Sequence, residues 1–306
     1  MKVASLFCGC GGLDLGFHQA GYDIVWANDF DKYAVETYNL NFDNKAICAD
    51  INEVDINSIP EHDVLIGGFP CQPFSMMGKE KGFEDKRGTL FFRAVEIIEN
   101  QRDRGHQPKV VVLENVRNLL THNSGKTFRV IKRTLEKLGY HVNASKLNSA
   151  DYGVPQTRNR VFLVCFLDDV NYVFPEGKGP NGKLQDILEH DVDDKYFLSE
   201  RILKTIMSNG TGGYYAKSEI DLDIARPLTA TMAKMHRACQ DNYVTQEKGV
   251  RRLTPRECAR LQGFPDDFII NVSDAQAYKQ FGNAVTVKVS NAIAKSILEQ
   301  VEGSNA

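Results

Sequence analysis

Short apolar runs separated by helix-patterned stretches recur through the first 167 residues. Val3 to Phe7, Asp23 to Ala27, Ala46 to Ala49, Val64 to Ile66, Lys109 to Leu113 and Arg160 to Leu167 read as strands. Strands alternating with helices predict an α/β fold, a mostly parallel sheet with helices on both faces. The clearest helix is Ser124 to Leu138, where Phe128, Ile131, Leu135 and Leu138 recur at helical spacing and Gly139 supplies the stop. From about Asp168 the rhythm breaks. Pro175, Gly177, Gly179, Pro180 and Gly182 mark a linker, and the irregular, polar stretch to Val250 predicts a second, smaller domain. Order returns at Thr254-Pro255-Arg256-Glu257, a capping-box pattern opening a helix that ends at Gly263. Begun early, that helix would carry Arg252, Arg256 and Arg260 on one face. A last amphipathic helix is expected from Val285 to Val301, with Val289, Ile293, Ile297 and Val301 on its apolar face. The expected division is 1–167, 168–250 and 251–306, the last part returning to the first domain.

Composition adds limits. A chain of 306 residues, 42% hydrophobic, can bury a substantial core. No stretch approaches the ~18 apolar residues of a membrane span, and Met1 to Phe7 is too short for a secretory signal, so a cytoplasmic protein is expected. Seven cysteines without a CxxC pair suggest reduced thiols, and Cys8 with Cys10 lacks partner ligands for a metal. The net charge of −3 does not advertise a nucleic-acid partner, but Ile224 to Gln262 holds eight basic residues against three acidic ones.

Three motifs carry chemistry. "SLFCGCGGLDLGF" (5–17) is a strand ending in a glycine-rich turn that opens a helix, the geometry by which a nucleotide-containing ligand approaches backbone amides; tight strand-to-helix packing would use the same glycines. Asp29 and Asp50, each at a strand end, can take ribose hydroxyls or cap helices. In "GFPCQPFS" (68–75), Cys71 follows the strand through Ile66, with Pro70 and Pro73 stiffening its loop, and "LENV" (113–116) ends another strand with Glu114. A thiolate beside a carboxylate suits addition to an electron-poor heterocycle, the acid stabilising the charge that develops on a ring nitrogen. A buried structural cysteine is the alternative.

With these motifs in order, joined by "NDFDKYA" (28–34), "CADINEV" (48–54), "DYGVPQTRNRVFLV" (151–164), "RRLTPRECARLQGFPDDF" (251–268) and "YKQFGNAVTV" (278–287), the sequence resembles the DNA cytosine-5 methyltransferases, especially the small bacterial enzymes of restriction-modification systems. The resemblance spans nearly the whole chain. It implies a Rossmann-like, S-adenosylmethionine-dependent catalytic domain with a smaller target recognition domain at 168–250. It also implies that Cys71 attacks C6 of a cytosine flipped out of the duplex, Glu114 contacts N3 and the exocyclic amine, and C5 takes the methyl group. Arg160, with Arg158 beside it, is expected to support the flipped base. The implied cofactor site is Phe7, Gly9, Gly11, Gly12, Leu13, Asp29, Phe30, Asp50, Ile51, Pro70, Asn283 and Val285. Phe7 would stack on adenine, Asp29 hold the ribose, Asp50 reach the adenine amine and Asn283 close the pocket. The implied DNA contacts are Gln72, Ser75, Lys79 and Arg87 in or beside a closing loop at 75–88, and Thr229, Lys234, Arg237, Gln240 and Arg252 beyond it, with His236 and Asn242 also able to read base edges. The implied partners are double-stranded DNA and a separately acting restriction endonuclease, with the enzyme a monomer and no metal. Two rivals remain. The same chemistry on RNA belongs to a branch whose Cys-Phe-Thr signature is absent here. A cysteine amidohydrolase needs a histidine activating the thiol, and none of the seven histidines sits in a comparable strand-end motif.

Overall fold

The structure, a computed structural model, describes residues 1–69, 90–208, 218–234, 236 and 239–303. Its strands are β1 (Lys2–Leu6), β2 (Asp23–Asp29), β3 (Ile47–Cys48), β4 (Val64–Gly68), β5 (Val110–Val116), β6 (His141–Asn148), β7 (Asn159–Phe166), β8 (Tyr243–Gln246) and β9 (Gly249–Arg252). Its helices are α1 (Gly12–Gln19), α2 (Lys32–Asn41), α3 (Leu90–Asp103), α4 (Lys126–Lys137), α5 (Glu200–Met207), α6 (Pro255–Leu261), α7 (Asp274–Asn283) and α8 (Val287–Gly303). The chain forms two compact units. The first comprises Met1–Leu147, Asn159–Glu176 and Val289–Ala306, the second Asn148–Arg158 and Gly177–Lys288.

The first unit holds a seven-stranded sheet in the order β3-β2-β1-β4-β5-β7-β6. β1 to β5 run parallel, as the alternation of strands and helices predicts. β7 does not. It pairs antiparallel with β5, from Val110↔Phe166 to Val116↔Arg160, which brings its first residues to the carboxyl ends of the parallel strands. β6 is absent from the sequence-based expectation because only Leu147 of its eight residues is buried, leaving no apolar run to read.

Side chains alternate across the pleat and sort the helices to two faces. Ala4, Leu6, Leu65, Val111, Leu113, Val161, Leu163 and Cys165 share one core with Phe91, Val95 and Ile98 of α3 and Ile131 and Leu135 of α4. The intervening Val3, Ser5, Val64, Ile66, Val110 and Val112 are buried on the opposite face. There Ser5 bonds to Asp14 of α1, and α1 in turn accepts bonds from α8, Ser290 Oγ to Leu13 O at 2.6 Å and Asn291 Nδ2 to Gly16 O at 3.0 Å.

In the second unit β8 and β9 pair as a hairpin, and α6 opens with the expected capping box between Thr254 and Glu257. Because α6 begins at Pro255, Arg252 lies in β9, and the three arginines do not share a helix face. The units also cut the chain differently from the expected boundaries at 167 and 250. Residues 148–158 fold with the second unit through the bridges Tyr152↔Gly179 and Gln156↔Ala225, and 251–288 fold there too. Among the described residues no helix is long and apolar enough to cross a membrane.

Candidate active site

Strand order reverses between β1 and β4, the position in open parallel sheets where a crevice forms at the strand carboxyl ends. β1 delivers a tight turn to this edge. Phe7 and Gly9 both have φ of 56°, Gly11 caps α1 at φ 92°, and Gly12 starts the helix. A Cβ on Gly11 would lie 2.3 Å from Cε2 of Phe42, so only glycine fits there. At Gly9 the space is open: a Cβ would meet nothing within 4 Å, which leaves room for a ligand against the backbone. Asp29, at the end of β2, staples this turn. Its Oδ2 accepts from the Gly9 amide at 2.9 Å and its Oδ1 from the Asp31 amide at 2.8 Å. Burial pushes the Asp29 carboxyl above its usual range, against those two bonds. Phe30 beside it is 73% exposed, an apolar ring facing solvent. Asp50 is exposed and bonds to the Asn52 amide, while Leu13 and Ile51 are buried beneath the edge. The residues present thus fit an adenosyl ligand: a glycine cradle with open space, a carboxylate with lone pairs beyond its amide bonds, and an exposed aromatic ring.

β4 and β5 bring the second half of the site. Gly68 stands opposite Glu114 in register, and Asn115 Nδ2 donates to Phe69 O at 2.8 Å, clamping the strand that enters "PCQPFS" onto the strand that carries the acid. Arg160 opposes Val116, so it is a diagonal neighbour of Glu114 on the same face, and its Nε donates to Glu114 Oε1 at 2.9 Å. Both side chains are largely buried. Pro70, Cys71, Gln72, Ser75, Lys79, Arg87 and the expected closing loop lie outside the described residues.

Arg158 does not join this pair. It belongs to the second unit, is buried, and spends its guanidinium on the carbonyls of Leu228 (2.9 Å), Gly282 (2.9 Å) and Ala284 (3.0 Å). These three bonds hold the guanidinium within the second unit. Asn283 and Val285 also lie in the second unit, Asn283 exposed and Val285 buried.

Sequence reasoning missed the frame around Thr229. Leu228 N bonds to Gln156 Oε1 at 2.9 Å, and Gly282 packs so tightly that a Cβ would lie 2.3 Å from Thr229 C. The signal was present in "PQTRNR" and "FGN", which supply the glutamine, the arginine and the glycine.

The basic excess in this unit is largely consumed internally. Arg251 is fully buried on Glu257, Arg226 bonds to Glu219, Arg256 to the carbonyls of Pro265 and Phe268, and Arg260 to Asp266 and Ile187 O. Arg252 differs: its Nη2 lies 3.0 and 3.2 Å from the two ring nitrogens of His236. A single atom so close to both must sit over the ring, and no carboxylate faces this guanidinium among the described residues. Burial and Arg252 hold His236 below the usual imidazole value, in the neutral form. Lys234 and Gln240 are exposed, Asn242 is turned inward onto the backbone of Arg226, and Arg237 lies outside the described residues.

The buried thiols beside the turn are poor nucleophiles. Burial raises Cys8 well above the ordinary value and pushes Cys10 up to about 12. No cluster of three or more metal-ligating side chains occurs among the described residues.

Comparison with known proteins shows the family and the fold. The model of a family described as C-5 cytosine-specific DNA methylase matches residues 1–299. The chain is 43% identical over 298 residues to the Type II methyltransferase M.NgoBI of Neisseria gonorrhoeae, covering 96% of this chain and 92% of that one. It is 42% identical over 317 residues to M1.ScrFI of Lactococcus lactis subsp. cremoris, covering 99% and 79%. Among solved structures, the S. pombe Dnmt2 methyltransferase superposes with a TM-score of 0.77 at 22% identity over 100% of both chains. The Entamoeba histolytica methyltransferase EhMeth does so at 0.80 and 18%, over 98% of each. At that identity the structural likenesses carry the fold alone.

Proposed function

Because the chain belongs to the C-5 cytosine-specific DNA methylase family, and so methylates C5 of cytosine in DNA, we propose that Cys71, Glu114 and Arg160 carry the reaction and that Phe7, Gly9, Asp29, Phe30 and Asp50 hold the cofactor. The family and fold imply S-adenosylmethionine, which supplies an electrophilic methyl group when bound. RNA as substrate, the rival expectation, is disfavoured by the Type II relatives.

The observation that carries the assignment is the clamp between β4 and β5, which ties the strand two residues ahead of Cys71 to the strand that presents Glu114. A cytosine ring is unreactive at C5 until a nucleophile adds at C6, and C6 is hidden in the base stack, so the base must leave the duplex first. The thiolate of Cys71 then forms the bond to C6 while the carboxyl group of Glu114, in its protonated form, gives its proton to N3, where negative charge would otherwise collect. Arg160 fixes the orientation of that carboxyl group through its Nε bond. After methylation the C5 proton departs and the sulfur–C6 bond breaks, restoring the aromatic ring.

We further assign target choice to the second unit, with Thr229, Lys234, Gln240 and Arg252 facing DNA.

The test is a duplex carrying 5-fluorocytosine at the target position. Fluorine cannot leave as a proton, so the protein should be trapped in a denaturation-resistant adduct that requires S-adenosylmethionine. Cys71→Ala should bind DNA and give no adduct. Mass spectrometry that placed the adduct on another residue would refute the assignment.

A further inference from the structure

Asp14 is a fully buried carboxylate that the reaction does not use. Its Oδ2 accepts from Ser5 Oγ of β1 at 2.9 Å and its Oδ1 from Tyr38 OH of α2 at 3.0 Å, and no basic side chain bonds to it among the described residues. The tyrosine leads back to the cofactor turn. Tyr38 stacks on Phe42 with ring centroids 4.1 Å apart, and these two rings form the wall against Gly11, where an added Cβ would lie 2.3 Å from Phe42 and 3.1 Å from Tyr38. Gly11 N in turn closes the turn on Cys8 O. A change in the Asp14–Tyr38 bond therefore reaches the Gly9–Gly12 backbone through one pair of rings.

From this geometry we infer that Asp14 is a positioning residue for cofactor binding, setting the glycine-rich turn through Tyr38 and adding negative charge behind it that favours a cationic ligand. The inference rests on the proposed reading that this turn takes S-adenosylmethionine, a ligand with sulfonium and ammonium charges against one carboxylate.

The groups coupled to Asp14 are Ser5 from β1, Tyr38 from α2, Cys8 and Cys10 from the turn and Asp29 from β2; Ser290 and Asn291 of α8, which bond to the carbonyls of Leu13 and Gly16 on α1, carry no charge. Burial, with a smaller contribution from Asp29, pushes the Asp14 carboxyl up to about 7. Near neutrality it therefore exchanges its proton. Ionised, it accepts from both hydroxyls. Protonated, it must itself donate, and one of the two bonds reverses. A cation at the turn favours the ionised form, so cofactor affinity should fall as pH drops below 7, by up to about tenfold per pH unit for one linked proton.

Calorimetric titration of the full chain with S-adenosylmethionine, without DNA, from pH 6 to 8.5 tests this. Wild type should bind more weakly as the pH falls through 7. Asp14→Asn should bind about tenfold more weakly at pH 8 with a flattened pH dependence, and should melt no lower than wild type there, since it removes a buried charge rather than packing. Tyr38→Phe keeps the ring and deletes one donor, so its pH midpoint should move up; this variant decides the matter if Asp14→Asn does not fold. Wild-type affinity and slope in Asp14→Asn, or an unmoved midpoint in Tyr38→Phe, would overturn the inference. Asp29→Ala separates the two readings. If it binds as wild type does, the cofactor assignment of the turn fails; if it loses affinity while Asp14→Asn does not, only the positioning role fails.

Discussion

If Glu114 protonates a ring nitrogen as proposed, its carboxyl group needs a fixed orientation, and the bond from Arg160 Nε supplies one. Replacing Glu114 with Gln should slow methyl transfer by ~100- to 10,000-fold, the usual span for a lost acid–base partner, as measured by single-turnover transfer of a labelled methyl group. The duplex should still bind. Asp14 makes a second residue-scale prediction, on stability. Its folded value of about 7 exceeds the unfolded 3.8, so the unfolded chain ionises first as pH rises, and the folded state loses stability between those limits and levels off above 7. Relative to wild type, Asp14→Asn should therefore gain stability from pH 4 to 7, at up to about 1.4 kcal/mol per pH unit. Urea melts across that range check the sign. At this scale the sequence told much about chemistry and little about partners. Glu114 and Asp29 were legible as strand-end carboxylates at the edge of the sheet, while Cys71 lies outside the described residues. The Arg158 guanidinium was not, since a sequence gives the sign of a charge and not the carbonyls it meets.

Elements were legible where a period or a cap spoke for them. α4 and α6 fall within two residues of their expected starts, because an apolar stripe and a capping box are local patterns. β6 has neither, and the antiparallel entry of β7 depends on a partner about 50 positions away. The same limit hid the Arg251–Glu257 pair, of which the sequence showed only a capping-box acid and one of several basic residues. Glu257 also accepts from the amides of Thr254 and Glu189, both at 2.8 Å, so it is a hub for α6, β9 and the segment at 189. Glu257→Ala would strand a buried guanidinium and should cost about 3–5 kcal/mol, read from denaturant unfolding. At Gly16 the interface of α1 and α8 leaves no room: a Cβ would lie 2.4 Å from Ser290 Cβ and 2.6 Å from Asn291 N. Gly16→Ala should destabilise by about 1–3 kcal/mol through overpacking, despite alanine's better helix propensity.

Across the whole molecule, the two units are interleaved in sequence, and this bears on any exchange of specificity. If target choice resides in the second unit, replacing residues 183–250 with the matching stretch of a Type II relative should change the methylated site while leaving cofactor affinity unaltered, as bisulfite sequencing and calorimetry would show. A graft cut at 167 should fare worse, because 148–158 already belongs with the second unit and Glu176 ends the last segment of the first before α8. The expected boundary missed this because a linker rich in glycine and proline marks where a pattern stops and says nothing about a short excursion such as 148–158.

The bond from Ser290 to Leu13 spans 277 positions, and Tyr22 OH to Ala294 O spans 272. A ribosome makes α1 early and α8 late. For most of its synthesis the nascent chain therefore carries a glycine-rich turn whose supporting helix has no partner, and a stalled or prematurely ended product lacks the piece that braces it. A fragment ended before α8 should therefore bind S-adenosylmethionine more weakly than the full chain, as calorimetry would show.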